Sequence, residues 1–597
     1  VTIRSSPAGL VVRALVAAAL TLAGLGAAAP ARAGLVDDVL CAVTSLAEPV
    51  RLGDALQSGL SMSVLRTHNA LSTDELQHLA EDDTTWVDPC ARVFVVDEAA
   101  PPAQQDAVAV APAAGVPADV FDLSSRPGST RTIYLDFDGA TYAGTRWRNG
   151  EQIVSAPFSV DDDPSTFSDV ERAQIYLAWQ TVAEDYAPFD VNVTTRQPAA
   201  SALTRSSASD PTFGMPVVIT PTNSVGSGCG CGGMAYVGVM GNAGANDYQP
   251  AWIFTSGSGT NGYNVGQVIS HEVGHTFGLH HDGTSQTSYY SGAKDWAPIM
   301  GSSYNRRASQ WSRGDYPDAS NTEDDVAIIS QVAPALADDH ANGAVGATKI
   351  AVGTTTAGVI GTRTDVDAFT FTAGGPITLA VAGPAGYSNL DVRLTVLDAL
   401  GRTVATLDPT ADSASDASMS ALWSVELPAS ATYTALVEGV GNGDPAEAGR
   451  YSDYGSLGSY TVSLSAGLTA TPPPVTSTPP ASTTPPTAPT VGSTAPVGTA
   501  KDMPGTGGTR ATPSIEFVTR TLPAARVGRT YRAEIRFTGA VSEARLDWRL
   551  PQGLRWRVVG ERIVIRGRAT TRTTSKVTAE LSGAGGSTRM KFRLVVR

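Results

Sequence analysis

His271-Glu272-Val273-Gly274-His275-Thr276-Phe277-Gly278-Leu279-His280-His281-Asp282 is the stretch on which the reading of this chain turns. On a helix His271 and His275 fall one turn apart on one face, so both imidazoles reach a single zinc ion. Glu272 lies beside the first of them, placed to take a proton from a water at that ion. Val265, Val268, Ile269 and Val273 give the same helix an apolar face that anchors it in a core. Gly278 stands where the helix must stop and turn, and tolerance of positive φ lets a ligand six residues past His275 swing back to the metal. His281 has that spacing, with His280 as its competitor. Three neutral histidines leave one coordination position open, which separates a catalytic site from a closed structural one.

Around this stretch the pattern is mixed. Ile133-Tyr134-Leu135-Asp136-Phe137-Asp138-Gly139, Phe189-Asp190-Val191-Asn192-Val193 and Val217-Val218-Ile219 read as strands, and helical periodicity runs from Ser168 to Tyr186. Together they predict an α/β (α+β) domain over 118–336. Its signature HExxHxxGxxH, residues 271–281, resembles that of the metzincin zinc endopeptidases, and Asp282 directly after it resembles the reprolysin (adamalysin) branch. The resemblance implies zinc on His271, His275 and His281, and Glu272 as general base and then acid in peptide hydrolysis. Pro298-Ile299-Met300-Gly301 is similar to the clan's methionine turn, which makes Met300 an apolar floor and not a ligand. Position 302 is Ser where some members carry Tyr, and Tyr304 receives no role. Ala183 to Asp190 and Gln310-Trp311-Ser312 extend the likeness to bacterial secreted members of the group. Asp136, Asp138, Glu184, Asp185 and Asp190 supply carboxylates for a Ca2+ site or, alternatively, surface and capping groups.

The beginning of the chain reads as export machinery. Arg4 and Arg13 precede an apolar run, Ala14 to Ala29, and Ala31-Arg32-Ala33 offers small residues two apart, so 1–33 is expected to be a signal peptide. Residues 34–117 read as a propeptide. Ser72 and Glu75 have capping-box spacing at a helix start, and the Pro/Ala-rich Ala99 to Ala118 follows as a tether. Four cysteines allow three pairings. Cys41 with Cys90 is the favoured disulfide, leaving Cys229 and Cys231 bonded to each other or free. The alternative sets Cys90 on the zinc, as in matrix metalloproteinase propeptides, although the residues around it do not match that family's switch.

Sixty glycines and 38 prolines in 597 residues argue against a mostly helical protein, and so few cysteines exclude a disulfide framework. No other stretch approaches 18 uninterrupted apolar residues, so no transmembrane anchor is expected. Short strand runs over 345–466 predict a β-sandwich. Thr364-Asp365-Val366-Asp367-Ala368-Phe369, Asn389-Leu390-Asp391-Val392 and Tyr451 to Gly455 make it resemble a bacterial pre-peptidase C-terminal domain, whose aspartates bind calcium or shape turns. Residues 467–512 are a Pro/Thr-rich spacer that cannot bury a core. Residues 513–597 read as a second, smaller β-sandwich, similar to immunoglobulin-like modules of bacterial surface proteins. Met503-Pro504-Gly505-Thr506-Gly507 within the spacer is read as linker sequence.

Charge separates the ends of the chain. Residues 513–597 hold 16 Arg and 2 Lys against 6 acidic residues, a net +12, which leaves about −27 on the rest of a chain whose total is −15. That excess suits an anionic polymer of a cell envelope or matrix, or a solvated basic face. Nothing points to nucleic acid, because no stacking aromatics accompany the arginines. The sequence therefore predicts a multidomain secreted zinc endopeptidase made as a zymogen and acting on protein or peptide substrates. Its rivals are a zinc hydrolase of cell-wall peptide amides and a surface-binding adhesin with an inactive protease domain.

Overall fold

This computed structural model describes residues 41–101, 115–467 and 516–597, apart from 42–43, 45, 162, 223–224, 226–228, 411–418, 448, 539–540, 547–549, 552–553, 560–561 and 584–585. The expected signal peptide, most of the tether after Ala99, part of the glycine-rich run before Gly233 and the spacer lie outside the described residues. The chain forms two compact units, one ending at Gly467 and one following it.

The first unit opens with β1 (Val50–Arg51) and three helices, α1 (Leu52–Gln57), α2 (Met62–Asn69) and α3 (Thr73–Glu81). Ser72 Oγ accepts from Glu75 N at 3.1 Å and Glu75 Oε2 from Ser72 N at 2.6 Å, the reciprocal cap that starts α3. Leu52, Leu65, Leu76, Leu79 and Val87 close a small core beneath these helices. Two strands follow, β2 (Thr85–Val87) and β3 (Val93–Val96).

Next come β4 (Arg131–Asp136), the hairpin β5 (Ala140–Tyr142) and β6 (Ile153–Ser155), the helix α4 (Asp169–Asp185), then β7 (Asn192–Thr194), β8 (Phe213–Thr220), β9 (Gly233–Tyr236) and β10 (Ala251–Phe254). Eight strands form one sheet in the order β1-β2-β3-β9-β10-β8-β4-β7. The half from β10 to β7 is parallel, and its strands are buried along almost their whole length. β9 runs antiparallel to β10, and β3 runs antiparallel to β9. Val93, Phe94 and Val95 thus share a core with Ile133, Val217, Ile253 and Ile269.

Against this sheet lies α5 (Gly262–Phe277), capped by Asn261 Oδ1 on Asn264 N at 3.2 Å. It approaches α4 closely: a Cβ on Gly266 would stand 2.6 Å from Thr181 Cβ. Gly278 ends α5 with φ +114°, a left-handed value that a side chain would strain. Beyond it, β11 (Trp296–Pro298) pairs parallel with β12 (Ala308–Gln310), and α6 (Asp325–Val332) packs beside α5.

Residues 348–466 add β13 (Thr348–Lys349), β14 (Thr354–Ile360), β15 (Val366–Ala382), β16 (Val392–Leu397), β17 (Thr403–Leu407), β18 (Ala421–Gly439) and β19 (Gly458–Ala466). All belong to one hydrogen-bonded sheet, curled around Phe369, Leu379, Val396, Val437 and Val462. The long strands β15 and β18 pair along nearly their full length, with a bulge between Ala373 and Gly375. This region is fixed to α4 through buried groups. Asn389 Nδ2 donates to Asp185 Oδ1 at 2.6 Å, and Ser459 bonds Glu184 through both N–H and Oγ.

The second unit, taken by itself, is antiparallel. β20 (Glu516–Phe517), β21 (Thr530–Thr538), β23 (Leu554–Val559) and β24 (Arg562–Arg568) form one sheet; β22 (Val541–Leu546), β25 (Thr573–Gly583) and β26 (Gly586–Val596) form the other. Phe517, Ile535, Ile563, Ile565, Val577, Phe592 and Leu594 fill the core. On β21 and β24, Arg532, Arg536 and Arg562 gather around Glu534.

Candidate metal centre

The α5 sequence dictates how the histidines point. His271 Nδ1 donates to Ile299 O at 2.8 Å, and His275 Nδ1 donates to Leu279 O at 2.8 Å. Each bond fixes the hydrogen on Nδ1 and leaves a lone pair on Nε2. Past Gly278 the chain reverses and brings His281 round, its Nδ1 2.7 Å from Asp82 Oδ2. The end of α5 from which the chain reverses is held by Gly238 N, which donates to His275 O at 2.9 Å, and by Met240 N, which donates to Thr276 O at 2.8 Å.

All three Nε2 atoms face one point, with those of His275 and His281 3.1 Å apart. Three buried lone pairs aimed at one another repel unless a cation lies among them, and imidazole nitrogens suit zinc. A fourth donor enters from the N-terminal segment. Asp97 Oδ2 is 3.0 Å from His271 Nε2 and Asp97 Oδ1 is 3.1 Å from His281 Nε2. His271, His275, His281 and Asp97 are the four buried residues of this cluster. His280 is turned away, its Nδ1 3.0 Å from Glu323 Oε2.

Glu272 is fully buried beside the cluster, with its carboxyl group against that of Asp97. Burial, and then the Asp97 carboxylate, push its pKa well above the usual carboxylate range. Burial works in the same direction on Asp97, but His271 and His281 outweigh it and hold Asp97 well below that range. Met300 is fully buried under α5, where a Cβ on Gly274 would stand 2.6 Å from its Sδ. Asp282 is buried too, but it is raised by burial and Glu323 and bonded toward Ser312 and Tyr316, away from the cluster.

The structure pairs Cys41 with Cys90 and Cys229 with Cys231. The alternative that sets Cys90 on the metal is thereby corrected: Cys90 is tied to Cys41, and the N-terminal residue that enters the cluster is Asp97. The carboxylates considered for calcium do not converge. Asp190 pairs with Arg131 at 2.9 Å, Glu184 and Asp185 hold the β-rich region, and Asp136 lies against Asp138 and is raised to about 8, chiefly by burial. Asp338, Asp365 and Asp367 do come together, and buried Oδ1 atoms of the last two lack a partner.

Sequence reasoning missed four neighbours. Asp97 and Asp82 lie in a segment remote from the signature, and no spacing connects them with it. Tyr289, whose hydroxyl donates to Asp97 Oδ1 at 2.9 Å, follows the third histidine in a loop without a pattern. Gly233 was visible within a glycine-rich run, but only the fold brings it against Glu272.

Residues 187–312, about a fifth of the chain, match the family model Reprolysin_5, metallo-peptidase family M12, and the matched segment contains all three histidines and Glu272. Among solved structures, a pre-peptidase C-terminal domain of collagenase from Bacillus anthracis is similar at 15% identity, over 20% of this chain and 93% of that chain, with a TM-score of 0.13. A chimeric titin Z1Z2 is similar at 18% identity over 15% of this chain and 97% of that one (TM-score 0.13). A titin M3 domain is similar at 20% identity over 14% and 96% (TM-score 0.12). No curated protein matches the chain. Among the described residues no helix is long and apolar enough to cross a membrane.

Proposed function

We propose that this chain is a secreted zinc endopeptidase of the metzincin type, made as a zymogen, with His271, His275 and His281 as zinc ligands and Glu272 as general base and acid. The observation that carries the reading is the convergence of three Nε2 lone pairs beside a buried glutamate, inside the segment that matches an M12 metallopeptidase. Zinc bound there would polarise the scissile carbonyl and acidify a water.

The protein's own residues do the rest. Ile299 O and Leu279 O hold the imidazoles of His271 and His275 in one tautomer, and in the unprocessed chain Asp82 supports His281 in the same way. Glu272 takes a proton from the attacking water and hands it to the leaving amine nitrogen, the work of a general base and then acid. β9, once its outer edge is free, offers backbone N–H and C=O groups that pair with an extended peptide. Met300 and Gly274 set the floor on which the histidine pair rests.

Residues 1–33 serve as the export signal and 34–117 as the propeptide in this account. The β-rich region of 345–466 acts as a pre-peptidase C-terminal-like module, and the basic unit of 513–597 meets anionic envelope or matrix polymer through its arginines. A calcium ion would belong with Asp338, Asp365 and Asp367, where it would satisfy the unpartnered Oδ1 atoms of Asp365 and Asp367. The test is digestion of casein, beside isolated cell-wall peptide, by chain freed of its N-terminal segment, with and without a zinc chelator. Chelator-sensitive cutting of casein supports the reading; release from cell-wall peptide alone replaces it with an amidase.

A further inference from the structure

We infer that Asp97 is the fourth protein ligand of this metal, and that the strand leading to it occupies the substrate's place on the edge of β9. The inference rests on the metallopeptidase reading and deepens it, by naming what keeps the site closed.

Backbone geometry comes first. Phe94 pairs with Tyr236, Val95 with Ala235 and Val96 with Met234, antiparallel. The ladder then continues past the end of β3: Asp97 N donates to Gly233 O at 3.0 Å, Gly232 N to Asp97 O at 3.0 Å, and Ala100 N to Gly257 O at 2.9 Å. The segment 93–100 therefore uses up the strand edge that an extended peptide would need.

Side-chain geometry agrees. The Asp97 side chain is 8 % exposed, and both of its oxygens are engaged: Oδ2 with His271, Oδ1 with His281 and the Tyr289 hydroxyl. A carboxylate ligand so placed takes the position that three histidines leave open, and converts an open site into a four-ligand one. Asp82, from the N-terminal region ahead of that strand, supports His281 from the other side. Outside the cluster the Tyr236 hydroxyl on β9 donates to Asp88 Oδ2 at 3.1 Å, and Arg92 Nη1 ties the start of the strand to His68 O of the preceding helix at 2.6 Å. Water and peptide are excluded together for as long as the segment stays in place.

The test uses the full chain loaded with Co2+, in wild type, Asp97→Ala and the isosteric Asp97→Asn, which guards against misfolding. Two readouts are taken: the visible Co2+ bands on adding acetohydroxamate, and the rate of metal loss to dipicolinate. Wild-type bands are expected to ignore the hydroxamate, while those of both variants shift, with metal loss at least about tenfold faster. Variant bands and loss rates equal to wild type would overturn the assignment, as would a wild-type spectrum that shifts as readily as theirs. The readouts separate the two claims. Shifted variants in a chain that never cuts protein, even with its N-terminal segment removed, keep Asp97 as ligand and remove the peptidase. A chain that cuts casein with Asp97 in place keeps the peptidase and removes the inference.

Discussion

Gly233, in β9, lies so close to Glu272 that no side chain fits between them: a Cβ on Gly233 would overlap the Glu272 carboxyl group. The strand backbone is thus the wall against which the Glu272 carboxyl is set. Gly233→Ala is expected to displace Glu272 while leaving the histidines in place. Turnover should fall by about 10²-fold or more, the scale of a lost general base, with metal content unchanged. Steady-state kinetics beside metal analysis checks it; a fall in metal content instead would mean that the strand positions the ligands.

Gly278 has φ +114° at the end of α5, and the turn it makes carries His281 back to the cluster. Gly278→Ala should cost about 1–2 kcal/mol of stability from the left-handed backbone alone. Metal affinity should fall with it. Thermal unfolding of metal-loaded and metal-free protein separates the two effects, since misplacing His281 lowers the melting temperature of the loaded form more.

Asp82 supports the Nδ1 of His281 at 2.7 Å. Asp82→Asn in the full chain should weaken metal binding by about 10- to 100-fold, the usual cost of losing a partner behind a ligating histidine. Competition with a chromophoric chelator measures it. An unchanged affinity would reduce Asp82 to a packing contact.

Glu184 and Asp185 join α4 to the β-rich region, and burial raises them to about 8 and about 7. In the unfolded chain such carboxyls titrate near about 4. The folded form therefore binds more protons between those limits, so their contribution to stability is fullest at the acid end and is lost as pH rises toward 8. The melting temperature should fall between pH 5 and pH 8, and Glu184→Gln should flatten that slope. Asp136 and Asp367 are raised in the same window, so some slope remains in the variant. A slope identical to wild type would mean that Glu184 is not the titrating group.

Much of the site was legible because it is local. Helical period places His271 above His275, one glycine marks the turn, and six residues bring His281 back. The long helix at 168–186 was readable for the same reason, with Ser168 and Glu171 forming its cap. What escaped is non-local. The strand at Phe189 to Val193 shrinks to Asn192–Thr194, because Tyr186 and Phe189 turn into the core while Val191 and Val193 also pack there. The pairing of β3 with β9 joins residues some 140 apart, and the same pairing carries Asp97 to the histidines. Nothing in the local pattern of Phe94-Val95-Val96-Asp97 distinguishes it from an ordinary strand end.

The most direct test of the central claim is zinc content and casein cleavage, measured on the same preparations of chain freed of its N-terminal segment, in wild type and Glu272→Ala. The account predicts about one zinc in both and cleavage only in wild type, since the glutamate moves protons and does not hold the metal. Equal cleavage by the variant, or a wild type that holds zinc and cuts no protein, would contradict it.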